Sequence, residues 1–346
     1  NPKIDGRDIA LTHHSIKSLK EIGFWDIIPK NLISTIKTAK IFDGNSKYSL
    51  NFEHKDIKKD FLGCLIPNYL IKKYLKQLLK GKKNIFSIES ELLDIKIHDD
   101  YSSLTLSNGK KISASLIIGA DTRFSSARSK IGISSFVQDF KKNMIVCRMK
   151  IKKNHGKIAY EFFKYNQTLA LLPYINNEAS IIVTVSKENS EKLLKLKIKD
   201  FNKEIENNFN YFFGKMNLIG KRYSYPMITV YSKNFISSRF ALIGDAAVGM
   251  HPVTAHGFNL GLQGIEILCK EIKLALKNNI DIGSTPILKK YQKKLHRVAI
   301  PIYLSTNGIV RLYTNGSKPA KVVRKFALRA VNSIKPLKQA FMSVLE

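Results

Sequence analysis

The chain has 346 residues, of which 44% are hydrophobic, and this is enough apolar material for one or two folded domains. Its 58 basic and 27 acidic residues give a formal net charge of +31, but only 10 of the basic residues are arginine. Nucleic-acid-binding proteins use arginine for bidentate contacts, so the composition argues against a nucleic-acid partner and leaves a compositional bias or a preference for membrane surfaces.

The first elements are predicted from apolar spacing. The chain begins at Asn1 without a Met, and residues 1–6 are typical of a loop, so we expect the sequence to be truncated at its N terminus. Residues 7–28 are predicted as a helix that stops at Gly23, and a second helix is predicted near 68–80. Short strands are predicted near 84–88, 92–98 and 101–106, followed by a hairpin turn at Asn108-Gly109.

The central part of the chain has a different pattern. Strand-like runs at 144–149, 158–163, 168–172 and 180–185, with a helical insert near 188–213, predict an α+β region of mostly antiparallel sheet. Residues 239–243 are then predicted as a strand, and a helix is predicted from about 259 to 277. The remaining residues, 286–346, are predicted to be helical and basic.

The three cysteines do not indicate a disulfide framework or a metal site. Cys64, Cys147 and Cys269 are too few and too far apart for a disulfide framework or a zinc site. Each lies in an apolar stretch, so we expect small core residues in a reducing cytoplasm. No run of about 18 apolar residues is present, so we expect no membrane-spanning segment.

Two apolar segments end in the same way, one at Gly119-Ala120-Asp121 and the other at Gly244-Asp245. In open α/β sheets ligands bind beyond the carboxyl ends of strands, where a carboxylate can hold a ribose or ribityl hydroxyl. After the second segment, Gly257 and Gly261 flank a predicted helix start, whose N–H groups and dipole suit an anionic group. Each feature alone is common, but their order indicates a cofactor site.

These segments carry a family resemblance. The run Ala-Leu-Ile-Gly-Asp-Ala-Ala at 241–247, followed by residues 251–261, resembles the second FAD fingerprint of the group A flavin monooxygenases. Residues 119–128 resemble their middle fingerprint, and residues 5–11 resemble the segment after the second strand. Within that group, residues 167–173, 249–259 and 303–314 are most similar to the ubiquinone-biosynthesis hydroxylases of the UbiH/UbiM type, and to the UbiM type in particular.

The sequence departs from that family in two places. Thr122 stands where the middle fingerprint usually has Gly, which affects the backbone path expected there. The Gly-x-Gly-x-x-Gly turn is absent, so we expect a missing N-terminal βαβ unit of roughly 30 residues. On this interpretation, the chain keeps the flavin end of the site and lacks the adenosine end.

The resemblance implies an α/β fold with a Rossmann-like FAD-binding domain of the p-hydroxybenzoate hydroxylase type. An α+β antiparallel-sheet substrate domain and a helical C terminus complete it, with the substrate pocket between that sheet and the flavin. The implied boundaries assign residues 1–32, 59–140 and 235–285 to the FAD domain, 33–58 and 141–234 to the substrate domain, and 286–346 to the helical C-terminal region.

The resemblance also implies the reaction. An FAD-dependent monooxygenase would hydroxylate the ring of a prenylated ubiquinone precursor of the 5-demethoxyubiquinol type, using NAD(P)H and O2 through a flavin C4a-hydroperoxide. Two other interpretations stay open. One is another FAD-superfamily oxidoreductase, such as a prenyl reductase or an epoxidase, and the other is a truncated, non-catalytic flavoprotein scaffold in a ubiquinone-biosynthesis complex.

The resemblance assigns roles to individual residues. The implied cofactor-binding residues are Arg7, Asp121, Gly244, Asp245, Gly257, Phe258, Asn259 and Gly261. Pro252 and His251 are the implied catalytic residues beside the flavin ring, and no metal site is expected. Two alternatives remain, namely that Asp121 caps the turn at 125–128 and that His251 only orients its loop.

The C-terminal segment has the spacing of an amphipathic helix. Apolar residues between 322 and 344 recur at helical intervals, and six Lys and Arg residues between 321 and 338 flank them. Such a helix can lie on an anionic bilayer, at the inner face of the membrane, where a polyprenyl substrate resides. The alternative is a helix that packs against the FAD domain with its basic face in solvent.

Overall fold

The computed structural model describes residues 2–44, 46, 48–164, 167–251, 256–314, 317 and 324. Contacts divide the chain into two units. Unit one comprises Asn1–Lys80, Phe140–Met227 and Asn307–Glu346, and unit two comprises Gly81–Asp139 and Ile228–Thr306. Residues 59–80 thus group with the segment 33–58, from which the expected boundaries separated them. The division into FAD and substrate domains remains a prediction.

The helices and strands follow one another in this order: β1 (Asp8–Leu11), α1 (His13–Glu21), α2 (Phe24–Ile27), β2 (Ser34–Ile36), β3 (Thr38–Asp43), β4 (Ser49–Glu53), β5 (Gly63–Pro67), α3 (Asn68–Leu79), β6 (Leu92–Ile97), β7 (Ser102–Leu106), β8 (Lys111–Ala114), β9 (Ile117–Gly119), α4 (Ser126–Lys130), β10 (Ser135–Ile151), β11 (Ile158–Lys164), β12 (Gln167–Pro173), β13 (Glu178–Ser186), α5 (Lys187–Lys195), α6 (Ile198–Asn208), β14 (Met216–Ser232), β15 (Ile236–Ser237), β16 (Phe240–Leu242), β17 (Val248–Gly249), α7 (His256–Lys277) and α8 (Thr285–Thr314).

Unit one is built on a large sheet with the strand order β14-β10-β13-β12-β11-β3-β4. The pairs β10–β13, β12–β13, β11–β12 and β3–β4 are antiparallel, whereas β3 and β11 run parallel. One face of this sheet packs against α5, α6 and the turn after α6, in a core that includes Leu169, Ile181, Phe201 and Phe213. The predicted α+β region with a mostly antiparallel sheet is confirmed.

The N-terminal segment corrects one prediction. Residues Asp8–Leu11 form a strand that pairs antiparallel with β5, and β2 pairs with the other edge of β5. The prediction of a helix from residue 7 is therefore wrong for these residues. Helix α1 begins only after Thr12, whose hydroxyl accepts a hydrogen bond from the Ser15 N–H as an N-cap. The helix predicted near 68–80 is confirmed as α3.

Unit two contains two small sheets with the orders β15-β16-β9 and β6-β7-β8. The predicted hairpin joins β7 to β8 through Asn108-Gly109, where Gly109 has a φ of 79°, a left-handed value that favours glycine. The strand predicted at 84–88 does not form, and Phe86 is exposed there instead. The core of this unit is formed by β9, β16, α7 and α8, with Phe240, Leu242, Leu268 and Tyr291 at its centre.

The structure also tests the expectations for the cysteines and for membrane spans. Cys64 and Cys147 are buried as predicted, but Cys269 is exposed, because it follows Leu268 on α7 and lies outside the face that α7 turns to the core. Within the described part of the chain, no helix combines the length and hydropathy that a bilayer crossing requires. The amphipathic segment 321–344 lies outside the described residues, apart from Arg324.

Candidate cofactor site at the strand ends

The two strands singled out by their Asp endings are neighbours in unit two. β9 and β16 run parallel, with Gly119 opposite Leu242, and the Ile243 N–H donates to the Gly119 carbonyl at 3.0 Å. Asp121 and Asp245 therefore follow the same edge of the sheet, which is where ligands bind in open α/β folds. The structure thus brings the two strand ends together, which the sequence alone did not predict.

Asp121 caps a short helix. One of its carboxylate oxygens accepts hydrogen bonds from the N–H groups of Ser126, at 2.8 Å, and Ala127, at 3.4 Å. Thr122 fits the turn that follows β9, since its hydroxyl accepts from the Phe124 N–H at 3.1 Å. The capping alternative for Asp121 is therefore realised at the start of α4, and a contact of Asp121 with a cofactor stays a prediction.

Two arginines organise the turn after β16. Arg123 Nη2 lies 2.9 Å from Asp245 Oδ2, and Arg123 Nη1 donates to the Ile228 carbonyl at 2.5 Å. Arg128 is buried and donates to the carbonyls of Ala246 and Arg123, each at 2.9 Å. Burial lowers the pKa of Arg128 from its ordinary value, although the charge of Asp121 opposes that shift. The two guanidinium groups thus link the segments that follow β9 and β16.

Helix α7 packs directly against this turn. Gly244 begins a 3-10 turn with a φ of 58°, a left-handed value that costs a residue with a Cβ about 1–2 kcal/mol. A Cβ on Gly261 would lie 3.4 Å from the Gly244 Cα, and a Cβ on Gly257 would lie 3.8 Å from Asp245 Oδ1. The first turn of α7 therefore lies beside the Asp245 carboxylate.

The other predicted residues of this region have mixed outcomes. Phe258 and Asn259 are half-buried in the first turn of α7, and His251 is buried just after β17. Pro252 lies outside the described residues. His251 therefore lies in the segment between β17 and α7, and its catalytic role stays a prediction.

Arg7 belongs to unit one and has its own partners there. Its Nη2 atom lies 2.7 Å from Asp5 Oδ2. The guanidinium carbon lies over the Tyr225 ring, 5.1 Å from the ring centroid. Asn68 also donates to Asp5, at 2.6 Å. Burial raises the pKa of Asp5, but the hydrogen bonds from Arg7 and Asn68 outweigh burial and lower it overall. Asp5 therefore stays ionised and fixes the direction of Arg7.

Two ion pairs that hold these segments were not predicted from the sequence. Arg123 lies within the motif at 119–128, and nothing local links it to Asp245. The second pair joins β1 to β10, since Arg148 Nη2 lies 2.8 and 2.7 Å from the two carboxylate oxygens of Asp8. Asp8 is almost fully buried, and burial raises its pKa. A lone arginine in an apolar strand was the one signal available for the second pair.

Comparison with known proteins gives the family. The FAD binding domain family matches residues 11–303. The ubiquinone hydroxylase UbiM of Neisseria meningitidis is 39% identical over 344 residues, which cover 98% of this chain and 75% of that protein. The ubiquinone hydroxylase UbiL of Rhodospirillum rubrum is 28% identical, over 98% of this chain and 79% of that protein.

Solved structures agree on the fold. The p-nitrophenol 4-monooxygenase PnpA of Pseudomonas putida matches 98% of this chain and 87% of its own, with a TM-score of 0.78 at 14% identity. HpxO of Klebsiella pneumoniae, complexed with FAD and uric acid, matches 98% of this chain and 87% of its own, with a TM-score of 0.74 at 12% identity. The predicted α/β fold class is confirmed, and the chain belongs to the FAD-dependent aromatic hydroxylases, in the family that includes the ubiquinone hydroxylases.

Proposed function

We propose that this protein hydroxylates the aromatic ring of a prenylated ubiquinone precursor of the 5-demethoxyubiquinol type. In this reaction NAD(P)H, a proton and O2 are consumed, one oxygen atom enters a ring C–H bond, and NAD(P)+ and water are released. The observation that carries the proposal is the 39% identity to a ubiquinone hydroxylase along 98% of the chain. Fold likeness alone would not suffice, because one fold hosts many reactions.

The residues at the strand ends fit FAD. A carboxylate at the end of a parallel strand can accept a hydrogen bond from a ribityl hydroxyl, and Asp245 is held there by Arg123. The close approach of Gly261 to Gly244 leaves the first turn of α7 beside that carboxylate. The N–H groups of a helix N terminus favour the negative charge that a reduced flavin or a pyrophosphate carries.

The predicted site residues would then each have a role in binding FAD. Asp245 would hold the ribityl chain, and Phe258 and Asn259 would present their backbone groups to the flavin ring. Arg7 of unit one, held by Asp5, stays a predicted FAD-binding residue. FAD itself, when bound and reduced by NAD(P)H, supplies the activation of oxygen. The chain has to orient the two rings and keep water away from them.

Mass spectrometry of quinone intermediates tests the proposed reaction. The protein, expressed from its complete reading frame in a host that lacks the ring hydroxylases, should convert the accumulated precursor to a product 16 Da heavier. Growth under 18O2 should add 18 Da instead, and fragmentation should locate the new oxygen on the ring. Loss of ring hydroxylation in a flavin-loaded preparation would rule the proposal out.

The same experiment separates the alternatives. A prenyl reductase would add hydrogen to the side chain, and an epoxidase would place the oxygen there. A non-catalytic scaffold would give no new product and a colourless protein. Contact with a membrane surface or with a ubiquinone-biosynthesis complex remains a prediction, because most of the segment that suggested membrane contact lies outside the described residues.

A further inference from the structure

The large sheet of unit one has a second face, opposite to α5 and α6, and Glu161 of β11 lies on it. The neighbours of Glu161 along the strand, Tyr160 and Phe162, point to the helical side, where Tyr160 meets the Phe213 ring at 5.1 Å and Phe162 meets Phe209 at 5.6 Å. Side chains alternate along a strand, so Glu161 points to the opposite face.

The register of the sheet shows what surrounds Glu161. On β11 it stands between Ile41 of β3 and Ala170 of β12. Ala170 is in turn opposite Ile182 of β13, and Ile182 is opposite Val146 of β10. Residues paired in this way share one face. The row therefore consists of four apolar side chains and a single carboxyl group.

Glu161 is half-buried, and its carboxyl group has no ion-pair or hydrogen-bond partner among the described residues. Burial raises the pKa of its carboxyl group well above the ordinary value. An unpaired acid within an apolar row of a sheet lowers stability, and an apolar residue of similar volume would avoid that cost. A group kept at such a cost, with apolar surface around it, has the character of a ligand-binding group rather than of a structural one.

We infer that Glu161 is the hydrogen-bonding partner of the ring hydroxyl of the substrate, and that the apolar row beside it receives the aromatic ring. This inference rests on the proposed function and deepens it. It makes Glu161 a specificity residue, because a site built around one polar group rejects analogues that leave the group unpaired. A phenolic ring should bind better than the same ring with its hydroxyl methylated.

The test is a comparison of two probes by isothermal titration calorimetry. The first is a 2-methoxyphenol with an isoprenyl side chain, and the second is its O-methyl ether. The unmodified protein should bind the phenol at least about 10-fold more tightly than the ether. Glu161→Leu should bind both probes equally, Glu161→Gln should keep part of the preference, and the unfolding temperature of Glu161→Leu should not fall. Glu188→Gln, an exposed glutamate of α5, is the control and should change neither quantity.

The outcomes separate this inference from the proposed function. A Glu161→Leu variant that keeps the preference for the phenol overturns the inference, and so does a Glu161→Gln variant that is strongly destabilised, since the acid would then be structural. If the unmodified protein hydroxylates the precursor while the Leu variant keeps its selectivity, only the inference fails. If the unmodified protein neither binds the phenol nor hydroxylates the precursor, both fail.

Discussion

Arg123 and Asp245, 122 positions apart in the sequence, form an ion pair with 2.9 Å between Arg123 Nη2 and Asp245 Oδ2. The pair lies at the carboxyl ends of two adjacent parallel strands. Asp245 is only partly buried, with 39% of its side chain exposed, so the pair alone contributes little to stability. Its consequence is geometric, because Asp245 Oδ2 is committed to Arg123 while Oδ1 lies towards the first turn of α7.

We predict that Arg123 positions Asp245 for the cofactor. Arg123→Met should weaken FAD binding on the order of 10-fold, because the carboxylate loses its fixed orientation. Arg123→Lys should have an intermediate effect, since a lysine keeps the charge but not the planar fork. Fluorescence titration of the apoprotein with FAD measures both, and Arg297→Met, an exposed arginine of α8, is the control.

A double-mutant cycle identifies the origin of this effect. Asp245→Ala should itself cost about 1–3 kcal/mol of FAD binding if it removes the acceptor for a ribityl hydroxyl. In that background Arg123→Met should cost little more, because the arginine would have no carboxylate left to orient. Additive losses would contradict the positioning role and indicate two independent contacts.

A second prediction concerns Gly249 in β17. A Cβ there would lie 2.8 Å from the Arg123 Cβ, a distance that forces the backbone of one segment to move. Gly249→Ala should therefore lower the free energy of unfolding by about 1–3 kcal/mol and weaken FAD binding through Arg123. Urea unfolding followed by circular dichroism, together with FAD titration, measures the two effects.

Gly308 provides the matched control for this glycine. It lies inside α8, and no described residue outside its own stretch of helix comes within 4 Å of an added Cβ. Gly308→Ala should raise the free energy of unfolding by about 0.5–1 kcal/mol, because alanine loses less backbone entropy in a helix. If Gly249→Ala were also neutral or stabilising, the close approach between β17 and Arg123 would not exist in solution.

The parts of the fold that the sequence predicted well are those with local signals. The helix predicted near 68–80 is α3, and the hairpin at Asn108-Gly109 follows from the positive φ that such a turn requires. The two strand ends were predicted because an apolar strand followed by a small residue and an Asp is visible over a few positions. Their parallel adjacency was not predicted, because it depends on how distant segments pair.

Long-range pairing explains the errors. In residues 8–11, Ile9 and Leu11 are two positions apart, a spacing that favours a strand, and pairing with β5, more than 50 residues away, forms that strand. The partnership of Arg123 with Asp245 depends on a crossover that no local spacing reveals. The exposure of Cys269 depends on which face of α7 meets the core, and a single apolar neighbour such as Leu268 does not indicate that face.

A third prediction concerns acid sensitivity in unit two. Arg239 is buried, and its two terminal nitrogens donate to the carboxylate of Asp281 at 3.1 and 2.5 Å. The hydrogen bond from Arg239 is the main cause that lowers the pKa of Asp281 from its ordinary value. A lowered pKa means that this contribution is present above the ordinary value, about 3.9 for Asp, and is lost as pH falls through the lowered one.

Unfolding temperatures measured by circular dichroism between pH 3 and pH 7 check this sign. Asp281→Asn should be less stable than the unmodified protein at neutral pH, and the difference should shrink as pH falls below about 4. Asp26→Asn, an exposed aspartate in α2, should run parallel to the unmodified protein. A difference that grows towards low pH would show that the sign, and with it the stabilising role of the ion pair, is wrong.

A fourth prediction follows from the three thiols. Burial raises the pKa of Cys64 to about 11 and that of Cys147 to about 12, whereas Cys269 is exposed on α7. The thiolate is the reactive form, so Cys64 and Cys147 are protected twice, by low access and by a low thiolate fraction. At pH 8 a disulfide reagent such as dithiobis(nitrobenzoate) should label one thiol quickly and the other two only on unfolding.

The variant Cys269→Ser assigns the fast thiol. It should remove the rapid phase and leave the two slow thiols unchanged, because α7 turns a different face to the core. The slow phase then reports the opening of unit one, which contains both buried cysteines. Rapid labelling of two or three thiols in the native protein would mean that β5 or β10 opens locally, and that the burial of Cys64 and Cys147 does not persist in solution.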